Sequence, residues 1–477
     1  MVQWLKPPPP VHATSDTRRG LLWLAAGFAA LIAAAPAPAQ LVLPAPLTDP
    51  RAIDFTTDPV LHFITSPSPD DAFTTAVAAA VTSHPLLTET AATADAASAQ
   101  RREVRAALFP TLSAALVGSQ SLTRDFIDTS AAVERLLPRG RADAGITADQ
   151  LLFDFGATSG RIASASARLR AATAETDRAA TTLALSATQA WHQIIAYQAL
   201  VELADARIGR HRTIVSDMRD RVTAGVGTGG DTARAQAGLA DAIGDSARNA
   251  RSLAAAQARY REIFKTDPAK HPSRPKIATP TLTLDAAMTR SHRTPEVVTA
   301  EALAESARAE ARATRADALP HLSAGVAATR YNIVGAGPNH DGRGQFLLRQ
   351  PLSTGGAEAA RTTAATARAR AATAAADRTR NEAERDAAAA LADAQILAVA
   401  VTALGDAYRA NRRNRDIMAE QFRLSRGSLI DLLRTEDDYF TAASALILGS
   451  IERDLAAYTL LARTDGLLRH FAIPPAR

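Results

Sequence analysis

Hydrophobic and polar positions change their spacing several times along this chain, and the changes come twice in the same order. From Arg161 to Val226 only Gly209 and, next to the end, Gly225 interrupt good helix formers. Within that stretch Ile162, Ala165, Leu169, Ala172, Thr176, Ala179, Leu183, Ser186 and Ala190 step by three and four, the spacing of a helix packed along one coiled-coil seam. At about 1.5 Å per residue such a helix runs roughly 100 Å. A different rhythm precedes it. Polar Arg141, Asp143, Thr147 and Asp149 alternate with apolar Ala142, Ala144, Ile146 and Ala148, the two-residue period of a strand with unlike faces. Gly344 to Leu352 reads similarly, with Phe346 and Leu348 set against Gln345, Leu347 and Arg349. Two short strands before each long helix are predicted, each about ten residues, enough to cross a bilayer when tilted.

The chain is internally duplicated. Pro85 and Pro110 stand as far apart as Pro295 and Pro320, and the second of each pair opens similar text, Pro110-Thr111-Leu112-Ser113-Ala114 and Pro320-His321-Leu322-Ser323-Ala324. Further on, Arg170-Ala171-Ala172-Thr173-Ala174 matches Arg370-Ala371-Ala372-Thr373-Ala374, and Gly227, Asp231 and Arg234 match Gly427, Asp431 and Arg434 at the same offset. Alanine-rich text matches itself by chance, but one offset held through Gly, Asp and Arg does not arise that way. The first repeat carries extra residues between Thr123 and Gly140. The expected organisation is a signal peptide over 1–39, a Pro-rich extended tail over 40–70, a first structural repeat over 71–267, a linker over 268–280 and a second repeat over 281–473.

Composition narrows the function. Hydrophobic residues make up 47% but aromatics only 5%, so alanine, which lets helices approach closely, carries much of the apolar content. No proline falls between Pro138 and Pro268 or between Pro351 and Pro474, which leaves room for uninterrupted helices. Arg18 and Arg19 precede the apolar run Leu21 to Ala35, and Ala37-Pro38-Ala39 offers a cleavage site before Gln40, so the chain is expected to be exported. Cysteine is absent, which excludes a disulfide scaffold, thiolate chemistry and a lipid anchor on cysteine. The net charge is +5, but arginines are scattered among acids at helical spacing without a basic run, so nucleic acid is not an expected partner.

The sequence resembles the TolC-like outer-membrane efflux protein family across nearly all of its mature length. The resemblance rests on the helix–strand–strand–helix repeat, the Pro110 and Pro320 strand entries, Leu152-Phe153-Asp154-Phe155-Gly156, and its partner Pro351-Leu352-Ser353-Thr354-Gly355-Gly356, where Ser353 replaces the family's usual Phe. It implies a mainly α fold with a membrane β-barrel, in which long antiparallel coiled-coil helices form a periplasmic tunnel. Four strands per chain would join a twelve-stranded barrel shared by a homotrimer. A periplasmic adaptor protein, an inner-membrane ABC exporter or proton-driven pump, and outer-membrane lipid are the implied partners. Gln421-Phe422 followed by Ser428-Leu429-Ile430-Asp431-Leu432-Leu433 looks most like members serving type I protein secretion. Ser425 and Gly427, standing where those members have Gly and Arg, leave small-molecule efflux open.

No catalytic or cofactor motif stands up. Gly225-Val226-Gly227-Thr228-Gly229-Gly230-Asp231 looks like a phosphate-cradling loop, yet a helix precedes it, it holds no Lys, and the second repeat keeps only Gly427 of its glycines. Gly225, Gly227 and Gly427 therefore read as turns between antiparallel helices. Glu436, Asp437 and Asp438 read as a solvated helix face. The histidines show no metal-binding pair, and no cofactor is expected. Asp231, Arg234, Asp431 and Arg434 follow the two turns. They fit helix capping, and by resemblance they also fit the periplasmic entrance, where a trimer would gather six such carboxylates.

Overall fold

The computed structural model describes residues 44–49, 52–65, 71–123, 140–278, 280–334 and 339–476. The expected signal peptide and most of the extra Thr123–Gly140 segment lie outside these residues. The elements are α1 (Pro59–Thr65), α2 (Asp71–Thr82), α3 (Pro85–Ala106), β1 (Thr111–Gln120), β2 (Gly140–Phe153), α4 (Ala157–Thr223), α5 (Gly229–Phe264), α6 (Leu284–Ser291), α7 (Pro295–Ala316), β3 (His321–Arg330), β4 (His340–Arg349), α8 (Ala357–Arg423), α9 (Leu429–Arg463) and α10 (Leu467–His470). The order helix, two strands, long helix, shorter helix occurs twice. α3 and α7 both have 22 residues, and α4 and α8 both have 67.

Local chemistry explains the boundaries. Pro85 and Pro295 sit at the first positions of α3 and α7, where a missing N–H costs nothing. Gly156 and Gly356 precede α4 and α8 with φ of 91° and 87°, a conformation open to glycine and strained for other residues. β4 ends at Arg349, short of the expected Leu352, because Arg349 pairs with His321, the first residue of β3, and Pro351 has no N–H for a ladder.

The four strands form one antiparallel sheet in the order β1-β2-β3-β4, so among the described residues β1 and β4 keep free edges. α4 and α5 form one antiparallel hairpin and α8 and α9 another, with α3 and α7 packed along the strand-proximal part of the long helices. α4 is buried on more than the single predicted seam. Ala165, Thr176, Ala179, Leu183 and Ala190 are buried as expected, but Ser164, Ala167, Ala171, Ala174 and Ala184 are buried too, because α4 meets α3, α5, α7 and α9. α3, in contrast, buries no residue, and β1 is exposed throughout.

The main core gathers where α2, α4, α9 and the C-terminal segment meet. Phe73 packs against Trp191, His192, Tyr458 and Phe471 with ring centroids 5.2 to 5.9 Å apart. The predicted linker joins this region: Trp191 donates its indole N–H to the Ser273 carbonyl at 3.1 Å, and Arg274 pairs with buried Asp454 at 2.6 Å. The Pro-rich segment is also not simply an extended tail. It forms α1, buries Val60 and Leu61, and sets Asp58 against α8, because apolar side chains and one paired carboxylate outweigh its aperiodic composition.

Candidate channel entrance and membrane sheet

The strand register sorts the sheet into two chemically different faces. Leu112 lies opposite Ala148, and Ala148 opposite Val326; Ala114 lies opposite Ile146, and Ile146 opposite Ala328. Leu322 faces Leu348 and Ala324 faces Phe346 across the last pair. Paired residues share a face, so these side chains make one apolar surface. The register shift between Leu151 and Phe153 brings Phe153 opposite Leu322, so a bulge returns this aromatic to the apolar side. Phe153 stacks edge-on to Phe155 at 4.6 Å. The other face carries Ser113 and Thr147, whose hydroxyls meet at 2.6 Å, with Arg141, Asp143, Asp149, Gln345 and Arg349. Within one chain the apolar face is open: Leu112, Leu116, Val326, Phe346 and Leu348 are 62 to 79% exposed.

At the other end of the long helices, roughly 100 Å away at about 1.5 Å per residue, lie the two hairpin turns. Gly225 takes φ of 75°, and its counterpart Ser425 takes 56°. Gly227 and Gly427 sit against the preceding helix ends, where a Cβ would come within 3.2 Å of the Val222 nitrogen and 3.1 Å of the Phe422 nitrogen. The sequence-predicted turn glycines thus sit where a positive φ or a tight approach disfavours a side chain. Beyond each turn Thr228 and Ser428 cap the next helix, accepting from the Asp231 and Asp431 amides at 3.2 and 3.1 Å. Each hydroxyl in turn donates to the carboxylate of the same Asp, at 2.8 and 2.6 Å. The Thr228 hydroxyl and backbone amide hold the Asp231 carboxyl below its ordinary range. Arg234 and Arg434 are exposed and reach no carboxylate at ion-pair distance among the described residues. The two Asp are therefore capping residues in a single chain, each presenting a carboxylate at a hairpin end.

The ionic contacts between the hairpins lie a few turns farther in, between Arg207 and Arg210, which the sequence did not single out, and acids it read as solvated. Glu436 is not on a solvated face. It is 5% exposed and accepts from Arg210 of α4 at 2.8 Å. Arg207 of α4, also buried, bonds Asp437 of α9 at 2.9 Å, pairs with Asp245 of α5, and lies 4.6 Å from the centre of the Phe440 ring. These bonds join the two repeats. A hint lay in the chain: Arg207 and Arg210 share one face of α4, as Glu436 and Asp437 neighbour each other on α9, but spacing alone does not say which faces meet.

Among the described residues no group of His, Asp or Glu has the arrangement of a metal site. The chain thus combines a sheet with one apolar face and antiparallel helical hairpins about 100 Å long, an arrangement found in known proteins. Residues 77–264 match the outer membrane efflux protein family. The fold is similar to a membrane protein from Pseudomonas aeruginosa (TM-score 0.74, 22% identity, 84% of this chain and 92% of that one). It is also similar to the outer membrane protein VceC from Vibrio cholerae (0.72, 19%, 83% and 99%). The MtrE outer membrane channel of Neisseria gonorrhoeae, solved in its open state, is similar as well (0.70, 20%, 83% and 89%). A search of curated proteins gives no match. The match to the outer membrane efflux protein family thus spans the first repeat, and the fold of the whole chain is similar to those channel structures.

Proposed function

We propose that this chain is one subunit of a homotrimeric channel-tunnel that crosses the outer membrane of a Gram-negative bacterium and serves a tripartite export system. The observation that carries the reading is the split of the sheet into an apolar and a polar face while β1 and β4 keep open edges. Open edges are not tolerated in lipid, and four strands cannot close a barrel, so β1 of one copy must pair with β4 of the next. The helices ask for the same partners. α8 holds a stretch apolar and long enough to span a membrane, yet only 28% of it is buried within the chain, and Ile396 and Val399 are 64 and 72% exposed. With α3, on which no residue is fully buried, these surfaces are what a second copy would cover.

In this reading the turns at Gly225–Thr228 and Ser425–Ser428 form the periplasmic entrance. Asp231 and Asp431, with Arg234 and Arg434, ring its narrow end. Exposed Val226, Leu424 and Ile430 offer an apolar rim for a periplasmic adaptor, which links the tunnel to an inner-membrane ABC exporter or proton-driven pump. No step of the function is catalytic. The Gln421-Phe422 and Ser428–Leu433 text favours type I protein secretion as the route. Multidrug or small-molecule efflux is the second reading, left open by the departures at Ser425 and Gly427.

The test is mass measurement of detergent-extracted protein together with planar-bilayer recording. Three chains per particle and discrete conductance steps are expected. A monomer that keeps its strands in detergent overturns the shared barrel. A deletion strain separates the cargo readings: loss of an exported protein supports secretion, and drug hypersensitivity with normal protein export supports efflux.

A further inference from the structure

The two repeats match in sequence but not in surroundings. α7 opens the second repeat and packs against α4 on one side and α8 on the other. Its counterpart α3 packs chiefly against α4. The residues themselves are alike. α3 and α7 have the same length and both begin on a proline, so their positions correspond one to one. Ala302, Ala304 and Ala309 of α7 are buried, and α3 has Ala92, Ala94 and Ala99 in their places, none of them buried.

α4 and α8 correspond in the same way, Ala157 to Ala357 onward. On α4 the stripe Ser164, Ala167, Ala171 and Ala174 is buried. α7 meets this stripe, since the Ser164 and Ser306 hydroxyls lie 3.0 Å apart. On α8 the same stripe is Ala364, Ala367, Ala371 and Ala374, and it is not buried. The stripe that α8 does bury at this level is Ala365, Ala369 and Ala376. Charge follows the same correspondence. Arg170 of α4 pairs with Glu305 of α7. The counterparts are Arg370 and Asp95, both exposed and, among the described residues, without an ion-pair partner.

The sheet extends the pattern. Thr111 pairs with Asp149 as His321 pairs with Arg349, which fixes how β1 corresponds to β3 and β2 to β4. Where the repeats join inside the chain, Ala148 lies opposite Val326 and Ile146 opposite Ala328. Their counterparts are Leu348 with Leu116 and Phe346 with Gly118, and all four positions belong to the apolar face. A Cβ on Gly118 would have nothing within 4 Å in one chain, which leaves room for an aromatic ring across the strand. A slip of one residue would turn one partner of each pair to the other face. One position departs from the match. A Cβ on Gly160 would come within 3.0 Å of the Ala313 Cβ, so α4 and α7 approach closely there. The counterparts are Ala360 and Glu103, which need more room.

We propose that each chain carries the template of its own joint to the next copy. α3 and β1 of one copy seat on α8 and β4 of the next as α7 and β3 seat on α4 and β2 within a chain. Leu116 stands opposite Leu348, Phe346 covers Gly118, Asp95 meets Arg370, and Ala96 meets Ala364. The joint between copies is wider than the one within a chain at Ala360 and Glu103. A second copy is the occupant because the element that covers this stripe is already built into the chain at the equivalent place. The joint rests on the shared-barrel reading proposed above, to which it adds the register and the residues that meet.

The chain has no cysteine, so engineered pairs act alone. Two pairs test the joint in full-length protein in outer membranes: Leu116→Cys with Leu348→Cys for the strands, and Ala96→Cys with Ala364→Cys for the helices. Ala148→Cys with Val326→Cys, and Ser164→Cys with Ser306→Cys, test the same geometries within a chain. On mild oxidation both between-copy pairs should give covalent multimers of up to three chains on a denaturing gel. The within-chain pairs should link but stay at one chain. Ala114→Cys with Leu348→Cys, one diagonal step away, should link at least about fivefold less, because such Cβ atoms stand too far apart for a disulfide. If the strand pair does not assemble, the helix pair decides, being two small changes outside the sheet. Mass measurement of the unoxidised protein counts the chains independently. Three-chain particles in which an assembled between-copy pair stays unlinked while its within-chain counterpart links overturn the joint, as does preferred linking through Ala114. Single-chain particles whose within-chain pairs link overturn the shared barrel itself, and the joint with it.

Discussion

Arg210 on α4 donates its Nε–H to Glu436 on α9 at 2.8 Å, one helix from each repeat. The carboxylate is nearly buried and Arg210 is its ion-pair partner, so the bond cannot be exchanged freely for water. Arg207, one turn away, makes the parallel contact to Asp437. The predicted consequence is local. Glu436→Gln keeps the shape and removes the charge, and should lower unfolding stability by about 2 kcal/mol, the cost of weakening a charge-assisted bond in a shielded place. Chemical denaturation of the detergent-solubilised protein measures it. A loss below a few tenths of a kcal/mol would return Glu436 to the solvated surface.

A second prediction concerns the two tip turns. Gly225 occupies the left-handed region at no steric cost, whereas Ser425 is held there with a Cβ. That conformation costs an L-residue roughly 1–2 kcal/mol. Ser425→Gly should therefore stabilise the second hairpin by about 1 kcal/mol, and Gly225→Ala should destabilise the first by a similar amount. Thermal unfolding of the two variants should shift in opposite directions. Shifts of one sign would mean that the turn backbone moves to accept either residue.

Such positions show what a sequence can and cannot carry. The duplication was legible because glycines, prolines and capping residues keep their spacing, and each is required by a backbone geometry that acts within a few residues. The strands were legible from alternation, although the end of β4 was not, since it depends on where its partner β3 begins. Asp58 and Glu436 were illegible for the same kind of reason. A lone carboxylate in Pro-rich text, or an acid in a Glu-Asp-Asp run, looks solvated until the helix that supplies its arginine is known, and those arginines lie hundreds of residues away. Whether Asp231 and Asp431 do more than cap was undecided in the sequence, because both roles call for the same residue at the same place.

The third prediction is a pH dependence. His192 is fully buried among Phe73, Tyr458 and the α4 backbone, and burial pushes its pKa down to about 4. In the unfolded chain it titrates near 6.5, so the unfolded state binds the proton first. Its contribution is fully present above pH 6.5 and is lost as pH falls toward 4, by about 2 kcal/mol at pH 5. Replacing His192 with Phe should flatten the stability profile between pH 7 and pH 5 relative to the native chain. An equally steep profile in the variant would mean that other groups dominate acid unfolding.

The fourth prediction separates the two roles of the tip carboxylates. Asp231 and Asp431 each hold a capping hydroxyl, so a change at either can act through the helix end or through charge at the entrance. Asparagine distinguishes these, because it keeps an oxygen for the Thr228 and Ser428 hydroxyls and removes only the charge. In the proposed trimer six such carboxylates would converge at the narrow end with Arg234 and Arg434 beside them. Exposed pairs are weak singly, at about 0–1 kcal/mol, but a ring of them acts together. The double variant Asp231→Asn with Asp431→Asn is expected to raise single-channel conductance while trimer yield stays normal. Asp231→Ala with Asp431→Ala should do the same and also loosen the turns, visible as faster proteolysis at Gly225–Thr228 and Ser425–Ser428. If the asparagine pair conducts and exports like the native chain while the alanine pair alone is nicked at the turns, the carboxylates are helix caps and the entrance closes by other contacts, the Arg207 and Arg210 bonds being the next to test.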